Sequence, residues 1–212
     1  MIKIENIDVW GWEHAIRGMR NPMNSWDKSD SGYFRIDGEY YVGDNDLELM
    51  HNLYEAGSSH RKFMRQIFVS MDVVAPLYWW KEMDTYKIGT VSNSCSTMHK
   101  LMSKEFELDD FSHDKMNTDA EGVLNDVIRF LNMQRDIYLN GIHGQLIGSK
   151  EFWWNTIQLL PSSYNQRRTI TMNYENVVNI CQQRMSHKLD EWRQFVEILS
   201  ELPYLERIVT GK

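Results

Sequence analysis

The first ten residues predict a β-strand. Apolar and polar residues alternate along MIKIENIDVW, which is the pattern of a strand with one buried face. A hairpin is predicted over Tyr33–Val42, where Asp37-Gly38 is a dipeptide typical of a tight turn with positive φ. The mixture of Ile, Phe and Val over Phe63–Val74 indicates a buried strand.

Helical periodicity covers most of the remaining chain. It is clearest between Ala120 and Asn140, where apolar residues recur at the spacing of one helix face. These residues are Val123, Val127, Phe130, Leu131 and Ile137. Further helices are predicted over Glu13–Met19, 46–56, Pro76–Tyr86, Asn93–Lys104, Lys150–Leu160, Thr171–Met185 and His187–Leu202. The acidic segment Phe106–Thr118 is expected to be a surface connection. The pattern therefore predicts one α+β domain, mainly helical, over residues 1–212.

Composition excludes one class of function and suggests another. The 23 Lys and Arg residues are outnumbered by 30 Asp and Glu, giving a formal charge of −7. This balance argues against general nucleic-acid binding, which depends on clustered cations, but a nucleotide ligand needs only a few of them. Eight Trp, ten Tyr and eight Phe indicate a core or subunit interface built on large rings, with a ring-stacking ligand site as the alternative.

The chain carries none of the common signals for membranes, secretion or metals. Its longest apolar run, Val73 to Trp80, is far too short to span a bilayer, and two cysteines are too few for a disulfide framework. We therefore expect a reduced, soluble, cytoplasmic protein with no metal site. His113 stands among three Asp residues, but such a loop is more often solvated. Cys95 has no recognisable base, and we expect a small buried thiol.

The segment after residue 170 has a mixed face that suits a ligand. On a helix, Asn173, Val177, Ile180 and Arg184 form one stripe, because they are spaced by four, three and four residues. A guanidinium at the end of such a stripe offers several donors in a plane, which suits a uracil edge or a phosphate. The alternative is that Arg184 pairs with Glu191 or Asp190 of the next helix.

Two segments carry a resemblance to a known family. Residues 86–99, YKIGTVSNSCSTMH, resemble in length and rhythm the motif RHRxxSxNExSxRY of the flavin-dependent thymidylate synthases (ThyX), and Asn93 and Ser96 are retained. The basic triplet is replaced by Tyr86-Lys87-Ile88. The second segment begins at Leu160-Pro161 and resembles the C-terminal pattern of the family. Its matching residues are Asn173, Asn179, Arg184, Ser186, His187 and Trp192.

The resemblance implies a fold, an assembly and a chemistry. Members of the family are homotetramers of a mainly helical α+β fold with a small antiparallel sheet, and their active sites lie at subunit junctions. They bind FAD, dUMP, NADPH and methylenetetrahydrofolate, and they methylate C5 of the uracil ring. By this resemblance Arg184 and Lys87 are the candidate catalytic residues, and Asn173, Asn179 and Asn93 the candidate cofactor-binding residues. The candidate substrate-binding residues are Ser96, Arg184, Arg167 and Arg168.

Three functions remain open on this sequence. The first is a divergent flavin-dependent enzyme that modifies a pyrimidine nucleotide at C5, by dUMP-type methylation or a related reaction. The second is a nucleotide-binding protein that has lost the flavin and its chemistry, as the missing basic triplet would imply. The third is a purely structural oligomer. We favour the first slightly over the second, and the partner in both is a small nucleotide.

Overall fold

Helices and a small antiparallel sheet make up the fold. The computed structural model describes residues 2–36, 38–141 and 147–212. The strands are β1 (Lys3–Trp10), β2 (Gly32–Tyr33), β3 (Tyr40–Tyr41), β4 (Phe68–Pro76), β5 (Thr90–Ser94) and β6 (Asn165–Asn173). The helices are α1 (Trp12–Arg20), α2 (Asp44–Glu55), α3 (Leu77–Met83), α4 (Thr97–Lys100), α5 (Thr118–Asn140), α6 (Lys150–Leu159), α7 (Tyr174–Arg184), α8 (Asp190–Ser200) and α9 (Leu205–Thr210). The predicted α+β class is confirmed.

Four of the strands form one sheet in the order β1-β4-β6-β5, and β2 pairs with β3 in an antiparallel hairpin. Side-chain contacts show that β4 and β6 run in opposite directions. Ser70 meets Thr171, whereas Asp72 accepts a hydrogen bond from Thr169 at 2.5 Å, so one strand ascends as the other descends. The predicted hairpin is confirmed in its strands, while Asp37 of its turn lies outside the described residues.

The chain divides into two compact units that are interleaved in sequence. Unit 1 comprises residues 1–3, 73–85 and 93–168. Unit 2 comprises residues 4–72, 86–92 and 169–212. The single domain expected from the sequence stays a prediction. Among the described residues, none of the helices has both the length and the hydropathy needed to cross a bilayer.

The core of unit 1 lies under α5. Leu124, Ile128 and Leu131 of this helix are buried against side chains from residues 101–111. Phe106 and Phe111 belong to this core with 5% and 2% of their surfaces exposed, so the expectation of a surface connection over Phe106–Thr118 is wrong for its first half. Burial of large rings outweighs the acidic character of the segment, whose charged side chains remain outside.

The core of unit 2 is built on aromatic rings and one buried ion pair. Trp12 packs edge-on against Tyr174 and Tyr204, with ring centroids 5.3 and 5.2 Å apart. Arg20 and Asp46 are both buried, and the Nε of Arg20 donates to the carboxylate at 2.6 Å. The aromatic residues are thus core residues to a large extent, as composition suggested.

Two predicted helices are corrected. Residues 90–94 are strand β5, and helix begins only at Thr97, because Ser96 caps it by accepting a hydrogen bond from the His99 amide. The segment assigned to a helix from Thr171 onward is strand β6 up to Asn173, which is the N-cap residue of α7. Threonine alternates with buried apolar residues along Thr169–Met172, and three of these four residues are β-branched, which favours a strand.

Candidate functional site

The two segments that carry the family resemblance contact each other in unit 2. The loop over residues 86–90 lies along α7 and runs antiparallel to it. Near the start of α7, the amide of Asn176 donates to the Ile88 carbonyl at 2.6 Å and to the Thr90 hydroxyl at 3.0 Å. At the other end, the Tyr86 hydroxyl donates to the Gln183 side chain at 3.0 Å. The loop is therefore fixed to the helix at both ends.

Gly89 and Asn173 are matched at the start of α7. Gly89 has a φ of +72°, and a Cβ built there would lie 2.5 Å from the Nδ2 of Asn173. The Oδ1 of Asn173 accepts a hydrogen bond from the Asn176 amide at 3.0 Å, which caps the helix. Asn173 is buried, and its side chain therefore acts as a structural cap at the point where the loop approaches most closely.

Arg184 ends α7 between two aromatic rings. Its Nε donates to the Tyr86 hydroxyl at 2.8 Å, and its guanidinium lies 4.7 Å from the Trp192 ring and 5.5 Å from the Tyr86 ring. Asp190, one of the alternative partners considered from the sequence, binds Arg193. The stripe predicted on α7 faces the core in its middle, since Val177 and Ile180 are fully buried. Arg184, the cation at the end of this stripe, is half-buried against the rings of Trp192 and Tyr86.

A second group of candidate residues lines a cavity of about 200 Å³ in unit 1. Its walls come from the two residues that follow β5, from α4 and the segment after it, and from the start of β6. The amide of Cys95 donates to the Arg167 carbonyl at 2.9 Å, and the Gln166 side chain donates to the Cys95 carbonyl at 3.0 Å. These bonds hold the residue before Ser96 against β6, so Ser96 and Arg167 line the same cavity.

The electrostatics of this cavity favour an anion. Lys100, Lys104 and Arg167 line it together with a single carboxylate, Asp110, which accepts a hydrogen bond from Lys104 at 2.6 Å. Tyr164 also lines the cavity, and burial raises its pKa to about 12, so its hydroxyl stays protonated at neutral pH. Three cations and several hydroxyl groups are suited to phosphate or carboxylate groups.

Adjacent arginines have different surroundings. Arg167 is exposed at the cavity. Arg168 donates to Asp84 at 2.7 Å and to Gln166 at 2.9 Å, and its guanidinium lies 4.3 Å from the centre of the Trp80 ring. Arg168 thus makes its contacts inside unit 1 away from the cavity, whereas Arg167 lines the cavity.

The remaining candidates are on the surface. Lys87 lies exposed in the loop along α7, and Asn93 is exposed on β5. Asn179 is exposed on α7 and accepts a hydrogen bond from Gln183 at 2.8 Å.

Cys95 is exposed, so the expectation of a buried thiol is wrong. The hydrogen bonds of its main chain to β6 place it at the cavity. His113 bonds the Phe111 carbonyl at 2.9 Å. The described residues include no group of three or more possible metal ligands.

The candidate residues therefore fall into two sets. Lys87, Asn173, Asn179 and Arg184 belong to unit 2, and Asn93, Ser96, Arg167 and Arg168 belong to unit 1. Sequence reasoning missed the roles of Tyr86, Tyr164 and Lys104. The four-residue spacing of Lys100 and Lys104 was the signal available for the cavity.

The structure is thus that of an α+β protein with a cavity in unit 1 that suits an anion, and with Arg184 packed against two aromatic rings in unit 2. No protein-family model matches the sequence, and no curated protein matches it either. Solved structures do match. The chain is similar to thymidylate synthase X (ThyX) from Helicobacter pylori with FAD and dUMP, at 17% identity and a TM-score of 0.67, covering 98% of this chain and 96% of that one. A second structure of flavin-dependent thymidylate synthase ThyX from Helicobacter pylori complexed with FAD and dUMP gives 17% identity and a TM-score of 0.64, covering 97% and 95%. The fold is thus ThyX-like.

The residues at the triplet position do not fit a flavin diphosphate. A diphosphate needs several cations or unengaged donors. Here Lys87 is the only charged residue of the three, Ile88 is 91% exposed, and the Tyr86 hydroxyl is already bonded to Gln183 and Arg184. Asn93, Asn173 and Asn179 contribute amides and no charge. A flavin would have to be held by other residues of the chain.

Proposed function

We propose that this protein binds a pyrimidine nucleotide, with the nucleotide phosphate in the unit 1 cavity. The observation that carries the proposal is that Arg167, Lys100 and Ser96 line one small cavity. Its volume of about 200 Å³ is less than a whole drug-sized ligand requires, but it suits a phosphate group with part of a sugar. Similarity of the fold to proteins crystallised with dUMP supports the choice of nucleotide.

Each cavity group has a definite part in this proposal. Arg167 and Lys100 supply positive charge, and the Ser96 hydroxyl and the Tyr164 hydroxyl donate hydrogen bonds to phosphate oxygens. Lys104 is partly neutralised by Asp110, so its role is to keep the potential positive without direct contact. A charge-assisted hydrogen bond contributes about 1.5–3 kcal/mol, which corresponds to roughly 10- to 150-fold in affinity.

The test is a titration with dUMP by calorimetry, beside deoxyuridine, which lacks the phosphate. We expect dUMP to bind at least about tenfold more tightly than deoxyuridine, and Arg167→Ala to remove that difference. Arg129→Ala is the matched control, since Arg129 is exposed on α5 and pairs with Asp126 outside the cavity. Equal affinities for the two ligands in the folded wild-type protein would refute the proposal.

A second candidate function is flavin-dependent modification of the same nucleotide at C5. Both structural neighbours were crystallised with FAD and dUMP, and this favours an enzyme of the thymidylate synthase type. In that case Arg184 and Lys87 are the residues that the resemblance assigns to catalysis, and NADPH and methylenetetrahydrofolate are the expected co-substrates. The replaced triplet argues against it.

Visible absorbance of the purified protein separates the two functions. Flavin bands that persist after incubation with FAD and desalting, near one flavin per chain, would favour the enzyme. A colourless protein whose melting temperature rises with dUMP would favour nucleotide binding alone, because a ligand that binds only the folded state stabilises it. A protein that responds to neither would leave the structural oligomer.

A further inference from the structure

A groove in unit 2 has no part in the proposed nucleotide site. It lies among α7, α8 and α9 and has a volume of about 670 Å³, which is in the range of sites for small organic molecules. Its apolar lining consists of Val178, Cys181, Met185, Val196, Leu205 and Val209. On α7 these residues occupy a different face from Asn173 and Arg184, rotated by roughly 120° about the helix axis. The groove is therefore a separate surface of the same helix.

The rim of the groove is acidic. Three glutamates, Glu197, Glu201 and Glu206, line it, and the lining drawn from the described residues contains no Lys, Arg or His. The nearby cation Arg207 is directed to α2, where it donates to Asp44 at 2.9 Å. An apolar floor is thus bordered by carboxylates of a single sign.

Two of these carboxylates lie at positions where a negative charge lowers the stability of the fold. Glu197 lies in the last turn of α8, and Glu201 is its C-cap residue. The C-terminal end of a helix carries partial negative charge, so acidic side chains there are unfavourable. The two residues are also four positions apart, where like charges repel. A bound cation would relieve both effects.

We propose that this groove binds a small organic cation with an apolar body. The apolar part packs on Val178, Val196 and Leu205, and the protonated amine lies among the three carboxylates. Charge complementarity selects this occupant over a neutral or anionic compound of the same size, because only a cation offsets the repulsion between the carboxylates. The site is independent of the nucleotide site and of the proposed function.

The rate at which Cys181 is alkylated measures whether a ligand occupies the groove. Cys181 lines the groove and is 9% exposed, and burial raises the pKa of its thiol, so a bound ligand would slow an already slow alkylation. Alkylation by iodoacetamide is followed peptide by peptide with mass spectrometry, with the exposed Cys95 of unit 1 as internal control. The probes are n-octylammonium, n-octanol and n-octanoate, which share a chain length and differ in charge.

We expect n-octylammonium to protect Cys181 at a concentration at least about tenfold lower than n-octanol, and n-octanoate to give the least protection. The rate at Cys95 should not change with n-octylammonium. The variant Glu197→Gln/Glu201→Gln should bring the two concentrations together. The matched control is Glu48→Gln/Glu55→Gln, which changes the net charge equally on α2 and should keep the preference.

Four results would overturn the proposal. They are no protection by any probe, equal protection by all three, a preference for the amine that survives in the folded Glu197→Gln/Glu201→Gln variant, and a fall in the Cys181 rate with protein concentration alone. The last would show that a second copy of the chain covers the groove.

Discussion

Contact between the two resemblance segments can be measured as a coupling free energy between Tyr86 and Arg184. The Nε of Arg184 donates to the Tyr86 hydroxyl at 2.8 Å, and its guanidinium lies 4.7 Å from the Trp192 ring. A hydrogen bond to a charged group contributes about 1.5–3 kcal/mol, and a cation over an aromatic ring about 0.5–1 kcal/mol at an exposed site. Because Arg184 is half-buried, we take the lower part of each range.

The resulting prediction is a double-mutant cycle. Arg184→Ala should lower the free energy of unfolding by at least about 2 kcal/mol, and Tyr86→Phe, which removes only the hydroxyl, by about 1.5 kcal/mol. The double variant should be more stable than the sum of the two losses implies, with a coupling of about 1.5 kcal/mol. Urea unfolding followed by circular dichroism measures all four proteins.

Two further variants make the cycle decisive. Arg184→Lys keeps the charge but lacks the Nε donor, so it should lose most of the coupling to Tyr86. Asp126 and Arg129 form an exposed pair on α5 and should couple by less than about 0.5 kcal/mol in a parallel cycle. If Tyr86 and Arg184 couple no more strongly than this surface pair, the loop is not fixed to α7 as described, and the juxtaposition of the two segments is refuted.

Three other perturbations test the fold and the assembly. Asp46→Asn should destabilise unit 2 by about 3–5 kcal/mol, because it leaves Arg20 as a buried charge without its carboxylate, and thermal unfolding measures the loss. Burial alone would raise the pKa of Asp46, but hydrogen bonds from neighbouring side chains, Arg20 among them, lower it overall. The stabilisation that ionised Asp46 gives the fold should therefore persist above about pH 4 and disappear as pH falls through the lowered pKa. We expect this loss in the wild-type protein and not in the variant. Gly89→Ala should be more destabilising than Gly57→Ala, since both positions have positive φ but only the first meets a side chain. The homotetramer implied by the resemblance predicts a native mass of about four chains, and Phe130→Glu on the exposed face of α5 should lower it; a monomeric wild-type protein in light scattering would contradict this.

Local periodicity was sufficient for most helices and insufficient for β6. The alternation of a strand is present in β6, but one of its buried positions is Gln166, a polar residue that no hydrophobic pattern marks as internal. Gln166 is buried because its amide donates to the Cys95 carbonyl, 71 residues earlier in the sequence. A hydrogen bond between residues so far apart in sequence leaves no local pattern. The burial of Gln166, and with it this part of β6, therefore could not be predicted from the sequence.

For α5 the periodicity was correct, and only part of the predicted stripe is buried: Leu131 lies in the core and Val127 packs against it. The predicted stripe included Val123 and Phe130, which are 64% and 37% exposed, whereas Leu124 and Ile128 are buried. The helix has a broad apolar arc, and only one side of it packs in unit 1. Sequence specifies the width of such an arc, but the neighbouring segments decide which part is covered.

The contrast between Arg167 and Arg168 shows how adjacent cations on one strand come to have different surroundings. As a dipeptide the two residues are equivalent, and both were candidates for phosphate binding. In β6, successive side chains point to opposite faces, so the two arginines meet different neighbours, and of the two only Arg167 lines the cavity. Arg168 then meets Trp80 and Asp84, where its charge is engaged. The cavity therefore receives one arginine from the pair, and its positive potential depends on Lys100 and Lys104 across the opening, which is why the nucleotide proposal is tested at Arg167 and not at its neighbour.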